Sequence, residues 1–353
     1  MRPRPALRAH RPARRRWPRR VALSLLALAA LAGCAFAAWW HETTFPKIAE
    51  GAPAVRLVVP PGASAEAIAR QLHALGLVRH PLVFRVLAQA RGVGARLKAG
   101  EYALSGPLSL EGILDALSRG DVVRRDLTVP EGRSLDEIAT LVAAEGLGLE
   151  AFFEAARDPA PVRDLDPAAS DLEGYLFPDT YDVPQSPEAP RALVRRMTQR
   201  FREVISPDLE RIAEKGLTVR QVVTLASIVE LETARASERP RIAAVFLNRL
   251  EKGMPLQTDP SIIYALKKAG RWDGNIRKRD LDILSPYNTY RRPGLPPGPL
   301  GSPGREAILA VLEPAGTKEL YFVSRNDGTH EFSQTLVEHN RAVDRYQRRR
   351  ARS

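Results

Sequence analysis

The run VALSLLALAALAGCAFAAWW, Val21 to Trp40, is twenty residues without a charge, and no other feature constrains this chain as strongly. As a helix it is long enough to cross a bilayer hydrocarbon core of about 30 Å. Nine arginines and no acid precede it in residues 1–20, and no arginine follows closely. That asymmetry predicts a cytoplasmic N-terminus, and Trp39 and Trp40 sit where interfacial aromatics belong. Residues 1–20 then form a cytoplasmic arginine-rich tail and 21–40 a transmembrane helix, with the rest outside the cytoplasm. A cleaved signal peptide is the alternative, but its apolar region runs only about 7–15 residues. The stretch LAGC ending at Cys34 also resembles a bacterial lipobox, which would make Cys34 a lipidation site. The apolar run continues past it through Trp40, which suits a span better.

Cys34 is the only cysteine, so the rest of the chain can form no disulfide and no thiolate metal site. Its folded part must depend on an apolar core. The formal net charge is +12. Without the nine arginines of 1–20 it is +3, and without the five from Arg345 onward it is −2. Basic residues concentrated in two tails, rather than over a folded face, argue against a nucleic-acid partner.

Behind the span, residues 41–54 (HETTFPKIAEGAPA) read as a linker. Two similar stretches follow: VVPPGASAEAIARQLHALGLV from Val58 and TVPEGRSLDEIATLVAAEGLG from Thr128. Each predicts strand, turn, helix, with Ser64 and Ser134 as N-caps and a capping box only at Ser134, through Glu137. A strand in AGEYALS and a helix from Ser109 to Gly120 complete a first unit over 55–123. Residues 124–346 form a second unit and 347–353 a basic tail. The Asp- and Pro-rich stretch around Glu173 carries Tyr175, Phe177 and Tyr181, so it predicts a packed loop that lines a cleft.

Two acids stand in the apolar run TLASIVELET. Leu225, Ile228 and Val229 form an i, i+3, i+4 stripe on a helix expected from Val222 to about Arg235, and Glu232 continues that stripe. Glu230 lies about 200° around the helix from Glu232, so the two cannot work as a dyad on one face. Glu230 reads as structural or orienting. Desolvation along the inward stripe would raise the Glu232 pKa and keep it protonated as a general acid. The competing reading is an ion pair with Arg235, Arg239 or Arg241. A second helix follows, capped by Ser237, with Pro240 in its first turn and Gly253 at its end. The loop Gln257-Thr258-Asp259 and the Pro/Gly-rich segment after Tyr287, Asn288, Thr289 and Tyr290 offer amides and aromatic faces, as a sugar ligand requires; a packed surface loop is the other reading. A hairpin is expected around Asn326-Asp327-Gly328. His330 and His339 lack a ligand spacing, so no metal is expected, and no cofactor motif occurs.

EGYLFPDTY from Glu173, LASIVELET from Leu225, AAVFLNRL, LQTDPSIIYAL, SPYNTYRRPGLPPGP and EHNRAV together resemble the MltG/YceG-like family of endolytic murein transglycosylases, over about residues 55–346. The resemblance implies an α+β fold: the single transmembrane helix, a small LysM-like α/β module (55–123) and a larger α+β catalytic domain (124–346). It implies Glu232, followed by Thr233, as the catalytic acid, with Leu231 where relatives often carry lysine. Glu173, Gln257, Thr258, Asp259, Tyr287, Asn288 and Tyr290 would hold the glycan strand. The implied reaction cleaves the MurNAc–GlcNAc bond of nascent strands and leaves 1,6-anhydro-MurNAc ends. The location would be the bacterial inner membrane, with the catalytic domain periplasmic and peptidoglycan synthases as partners. Two rivals are a non-enzymatic peptidoglycan-binding anchor that organises synthases and a glycan hydrolase. The single-span reading predicts that membrane-extracted protein keeps its full mass; loss of the first 33 residues with a diacylglycerol adduct would replace it with the lipoprotein reading.

Overall fold

A computed structural model describes residues 17–348; residues 1–16 of the arginine-rich tail and 349–353 of the basic tail lie outside them. The chain divides after Val123 into two compact units of mixed helix and strand.

The first unit begins with α1 (Trp17–Thr44), whose segment Val21–Thr44 is long and apolar enough to cross a membrane. The helix does not lead into a linker. Thr43 and Glu42 are buried, Glu42 accepts from the Arg79 amide at 2.9 Å, and Lys47 pairs with Glu42 at 3.0 Å. Residues beyond the helix form β1 (Pro46–Ile48), paired with β4 (Leu108–Ser109). The linker expected over 41–54 is therefore in large part built structure. Partners far along the chain hold it, and local polarity concealed them.

The first of the two similar stretches becomes β2 (Val55–Val59) and α2 (Ala65–Ala74), with Ser64 accepting from the Ala67 amide as cap. Then come α3 (Pro81–Ala90), β3 (Gly100–Leu104), antiparallel to β2, and α4 (Leu110–Arg119). Ser109 caps α4, and Gly120 ends it in the left-handed conformation. Leu57, Ile68, Leu72, Phe84, Tyr102 and Leu110 fill the core of this unit.

In the second unit the repeat gives β5 (Arg124–Thr128) and α5 (Leu135–Ala144), and the capping box of Ser134 with Glu137 is present. After α6 (Leu149–Ala156), the Asp/Pro-rich loop is packed, with Tyr175, Phe177 and Tyr181 buried. It leads into β6 (Thr180–Pro184), antiparallel to β5. Helices α7 (Ala189–Ile205) and α8 (Leu209–Glu214) precede α9 (Val219–Glu232).

Helix α9 starts three residues earlier than the apolar pattern suggested, because Thr218 and Gln221 form a capping box. It stops at Glu232, because Thr233 turns extended. Its residues are buried almost all round from Val222 to Val229. It packs against α10 (Arg239–Glu251), α11 (Asp259–Lys268) and α12 (Arg305–Leu312). Ser237 does not cap α10; it lies in a 3-10 turn, Ala236–Glu238, that runs into the helix. The expected hairpin is β7 (Tyr321–Ser324) with β8 (His330–Ser333), followed by α13 (Leu336–Val343).

The Pro/Gly-rich segment passes close against the turn after β5. The Gly132 amide donates to the Ser302 carbonyl (2.8 Å) and the Ser302 amide to the Arg133 carbonyl (2.9 Å). A Cβ on Gly301 would stand 2.5 Å from the Gly132 carbonyl oxygen, so no side chain fits there. Gly301→Ala is expected to cost about 1–3 kcal/mol, as overpacking against rigid backbone does. Thermal denaturation checks this; an unchanged midpoint would mean the two segments are not held together as described.

Candidate active site

The last turn of α9 carries both acids, and the fold treats them differently. Glu230 turns toward Arg239, with Oε1 2.6 Å from the guanidinium and Oε2 accepting from the Gly304 amide at 2.9 Å. Both side chains of the pair are nearly out of solvent. Burial raises the Glu230 pKa, although Gly304 and Arg239 oppose the rise. Glu230 therefore ties α9 to α10 and to the start of α12.

Glu232 takes none of the three arginines that could have neutralised it. Arg235 donates to the carbonyls of Gly328 and Asp327 in the β7–β8 turn. Arg239 is held by Glu230 and Glu131, and Arg241 by Glu319. Glu232 keeps partial exposure as a residue, yet desolvation of its carboxyl dominates and lifts its pKa to about 7. The negative charge of Asp259 adds to the rise; Thr258 and the positive charge of Arg249 oppose it.

These neighbours come from α10 and the loop into α11. Arg249 is buried, donating to the carbonyls of Leu320, Pro255 and Leu256, with its guanidinium 5.2 Å from the Tyr321 ring centroid. Burial lowers its pKa. The loop is fixed from below. The Gln257 amide donates to the Thr289 carbonyl, the Thr258 amide to Thr289 Oγ1, and Ser261 Oγ lies 2.8 Å from that same hydroxyl. These bonds hold Gln257 at φ 52°, a left-handed backbone that costs a non-glycine residue roughly 1–2 kcal/mol. Asp259 is exposed and accepts from the Tyr290 hydroxyl at 2.6 Å.

Of the residues expected to hold a ligand, the fold thus gathers Gln257, Thr258, Asp259 and Tyr290 with Glu232. It sends three elsewhere. Asn288 is fully buried; its amide nitrogen donates to the carbonyls of Leu281 and Ile283, and its oxygen accepts from the Tyr290 amide. Tyr287 packs on Tyr264, with ring centroids 4.7 Å apart. Glu173 is buried, accepting from the Leu135 amide at the start of α5 and from the Tyr264 hydroxyl, and burial lifts its pKa to about 7.

Sequence reasoning missed Arg249. A signal was there: Ile242, Phe246 and Arg249 continue one inward row on α10, the same i, i+4, i+7 logic that selected Glu232. Sequence reasoning assigned Asp259 to the ligand without expecting it to be the second carboxylate near Glu232. That carboxylate comes from another helix, rather than from Glu230 two residues away. Beside these groups opens a cleft of about 350 Å³, lined by Leu231, Pro260, Ile263, Tyr264, Lys267 and Trp272 among others. Glu232 does not line it; the residue before Glu232 and the residue after Asp259 do. Among the described residues no group of three His, Cys, Asp or Glu side chains could hold a metal ion.

The model of the YceG-like family matches residues 57–345. An endolytic murein transglycosylase of Bacillus subtilis is 32% identical over 312 residues, covering 83% of this chain and 84% of that protein. An endolytic murein transglycosylase of Streptococcus pneumoniae is 34% identical over 336 residues, covering 86% of this chain but 60% of that protein. A crystal structure of a yceG-like protein from Listeria monocytogenes superposes with a TM-score of 0.56 at 30% identity, covering 82% of this chain and 99% of that one.

The two acids predict opposite stability effects. Glu230→Gln leaves the buried Arg239 guanidinium with only the longer contact to the exposed Glu131, and should cost about 3 kcal/mol. Glu232→Gln should do the reverse above neutral pH. A carboxyl whose pKa rises from 4.5 to about 7 on folding contributes stability fully present below 4.5 and lost as pH climbs through about 7. The glutamine variant lacks that loss. It should match wild type near pH 4.5 and exceed it by up to about 3 kcal/mol at pH 8. Denaturation of both proteins at the two pH values checks this; a constant difference would mean Glu232 is not desolvated.

Proposed function

The chain belongs to the YceG-like family, and from that premise we propose that it is an endolytic peptidoglycan lytic transglycosylase with Glu232 as its single acid–base group. The observation that carries this is the isolation of Glu232: a desolvated carboxyl with a pKa near 7, from which Arg235, Arg239 and Arg241 are each diverted to another partner. A group titrating near the working pH can give a proton and take one back with little cost either way.

The protonated Glu232 gives its proton to the oxygen bridging MurNAc C1 and GlcNAc. As the C1–O bond breaks, the MurNAc C6 hydroxyl attacks C1, and Glu232, now a carboxylate, takes the proton of that hydroxyl. One C–O bond is exchanged for another, water is not consumed, and the product is a 1,6-anhydro-MurNAc end. The positive charge of Arg249 favours the carboxylate stage and the negative charge of Asp259 the protonated stage. Gln257, Asp259 and Tyr290, exposed or half-buried around the acid, are the groups available to grip the strand. Asn288, Tyr287 and Glu173 serve that grip only by holding the framework.

The α1 helix acts as a single span with the N-terminus in the cytoplasm, so that the chain beyond the helix lies in the periplasm at the inner membrane. The first unit is LysM-like and contributes glycan affinity. Cleavage of nascent strands at this location ends their elongation and calls for synthases as neighbours.

Full-length protein in detergent, given nascent glycan strands, should produce anhydro-ended fragments. Glu232→Gln should lower that rate by about 10²–10⁴-fold, the usual contribution of a general acid–base group. Mass spectrometry reads the outcome. Products one water heavier would identify a hydrolase, and strands of unchanged length from wild type would leave only an anchor.

A further inference from the structure

Thr258 stands at the N-cap of α11, where a threonine hydroxyl normally accepts a backbone N–H of the first turn. Here it makes no such bond. The reason is local. Pro260, at the second position of the helix, has no N–H, and the amide and hydroxyl of Ser261 both donate to the Thr258 carbonyl instead (3.2 and 2.7 Å). The hydroxyl is thereby released from capping. It is also buried: Thr258 is 1% exposed, and its Oγ1 has no hydrogen-bond partner among the described residues. A buried polar atom without a partner costs about 1–3 kcal/mol, so folds seldom keep one unless something uses it. The group it acts on is Glu232, whose charged form it favours although the two fall short of hydrogen-bond geometry.

The geometry points to Thr258 as a positioning residue for the transglycosylase reaction: its uncapped hydroxyl is reserved to hold the Glu232 carboxyl through the proton cycle. A hydroxyl suits this because it is a neutral donor. During the reaction it donates to the carboxyl oxygen that does not carry the proton, leaving the acid O–H free for the bridging oxygen, and it goes on donating to the carboxylate that remains. No bond is made or broken at Thr258, and the proton stays on its oxygen throughout. The loop supports the hydroxyl from behind, since Thr289 Oγ1 accepts from the Thr258 amide and meets Ser261 Oγ. The other ionisable groups facing Glu232 are Asp259 on α11, Arg249 on α10 and Tyr290 beyond the loop. None of them is a neutral, uncommitted donor: Arg249 is charged and bonded to three carbonyls, and the Tyr290 hydroxyl donates to Asp259.

This rests on Glu232 being the acid–base group, and the test separates the two claims. Full-length wild type, Thr258→Val and Thr258→Ser are compared for melting midpoint and for the pH dependence of kcat/KM in forming anhydro ends. Valine keeps the shape and removes the hydroxyl. The expected result is a valine variant that melts at or above wild type, because an unsatisfied buried hydroxyl has gone, but is slower by about 10-fold or more, the value of one hydrogen bond to a charged group. Its basic limb should move to higher pH, because a group favouring the carboxylate is lost. Serine should recover both rate and limb. Three outcomes overturn the proposal: a valine variant with wild-type rate and profile, one that melts well below wild type, or a serine variant as slow as valine. If wild type itself forms no anhydro ends, the fault lies in the proposed reaction rather than in Thr258.

Discussion

Water is kept from one carboxyl at the end of a helix, and the second unit is arranged around that exclusion. Helix α9 is enclosed on nearly all sides along its middle, with α10, α11 and α12 against it. The chain turns extended at Thr233, so Glu232 falls at the boundary where the core gives way to the surface. Glu230, two residues earlier and on another side of the helix, is instead ion-paired with Arg239.

Isolation of that carboxyl depends on where the cations go. Arg235, Arg239 and Arg241 lie within ten residues of Glu232, and each is drawn away by a partner that packing delivers: the β7–β8 turn, Glu230 with Glu131, and Glu319. Glu230 is thus indirectly part of the site. By holding Arg239 it keeps a guanidinium off its neighbour and ties α10 and the Gly304 amide to α9. Among the described residues Arg249 is the cation whose charge acts on Glu232, and its guanidinium is bonded to three carbonyls rather than to that carboxyl.

Rigidity around the acid has an origin in backbone bonding. The Gln257–Asp259 loop is sewn to Thr289 and Ser261 through buried hydroxyls, and Asn288 spends its whole amide on its own loop. Residues that looked like sugar-binding groups by type serve instead to preorganise the few that face outward. A strained backbone at Gln257 is what such over-determined bonding can sustain.

Periodicity and caps made much of this legible in advance. The long apolar helix, the caps at Ser64, Ser109 and Ser134, the hairpin at Asn326–Gly328 and the inward stripe ending at Glu232 all depend on residues within a turn or two of each other. Where the reading went astray, the deciding partner was distant in sequence. Arg79 holds Glu42, so 41–54 is largely structured. The turn of residues 236–238 takes the place of a cap at Ser237. The sequence by itself determined that one acid would ride on a buried helical face, because a 3.6-residue repeat is a local property. Only the tertiary structure decided which groups meet that acid, because Arg249, Thr258 and Asp259 reach it from other segments, and the sequence carries no record of which segments converge.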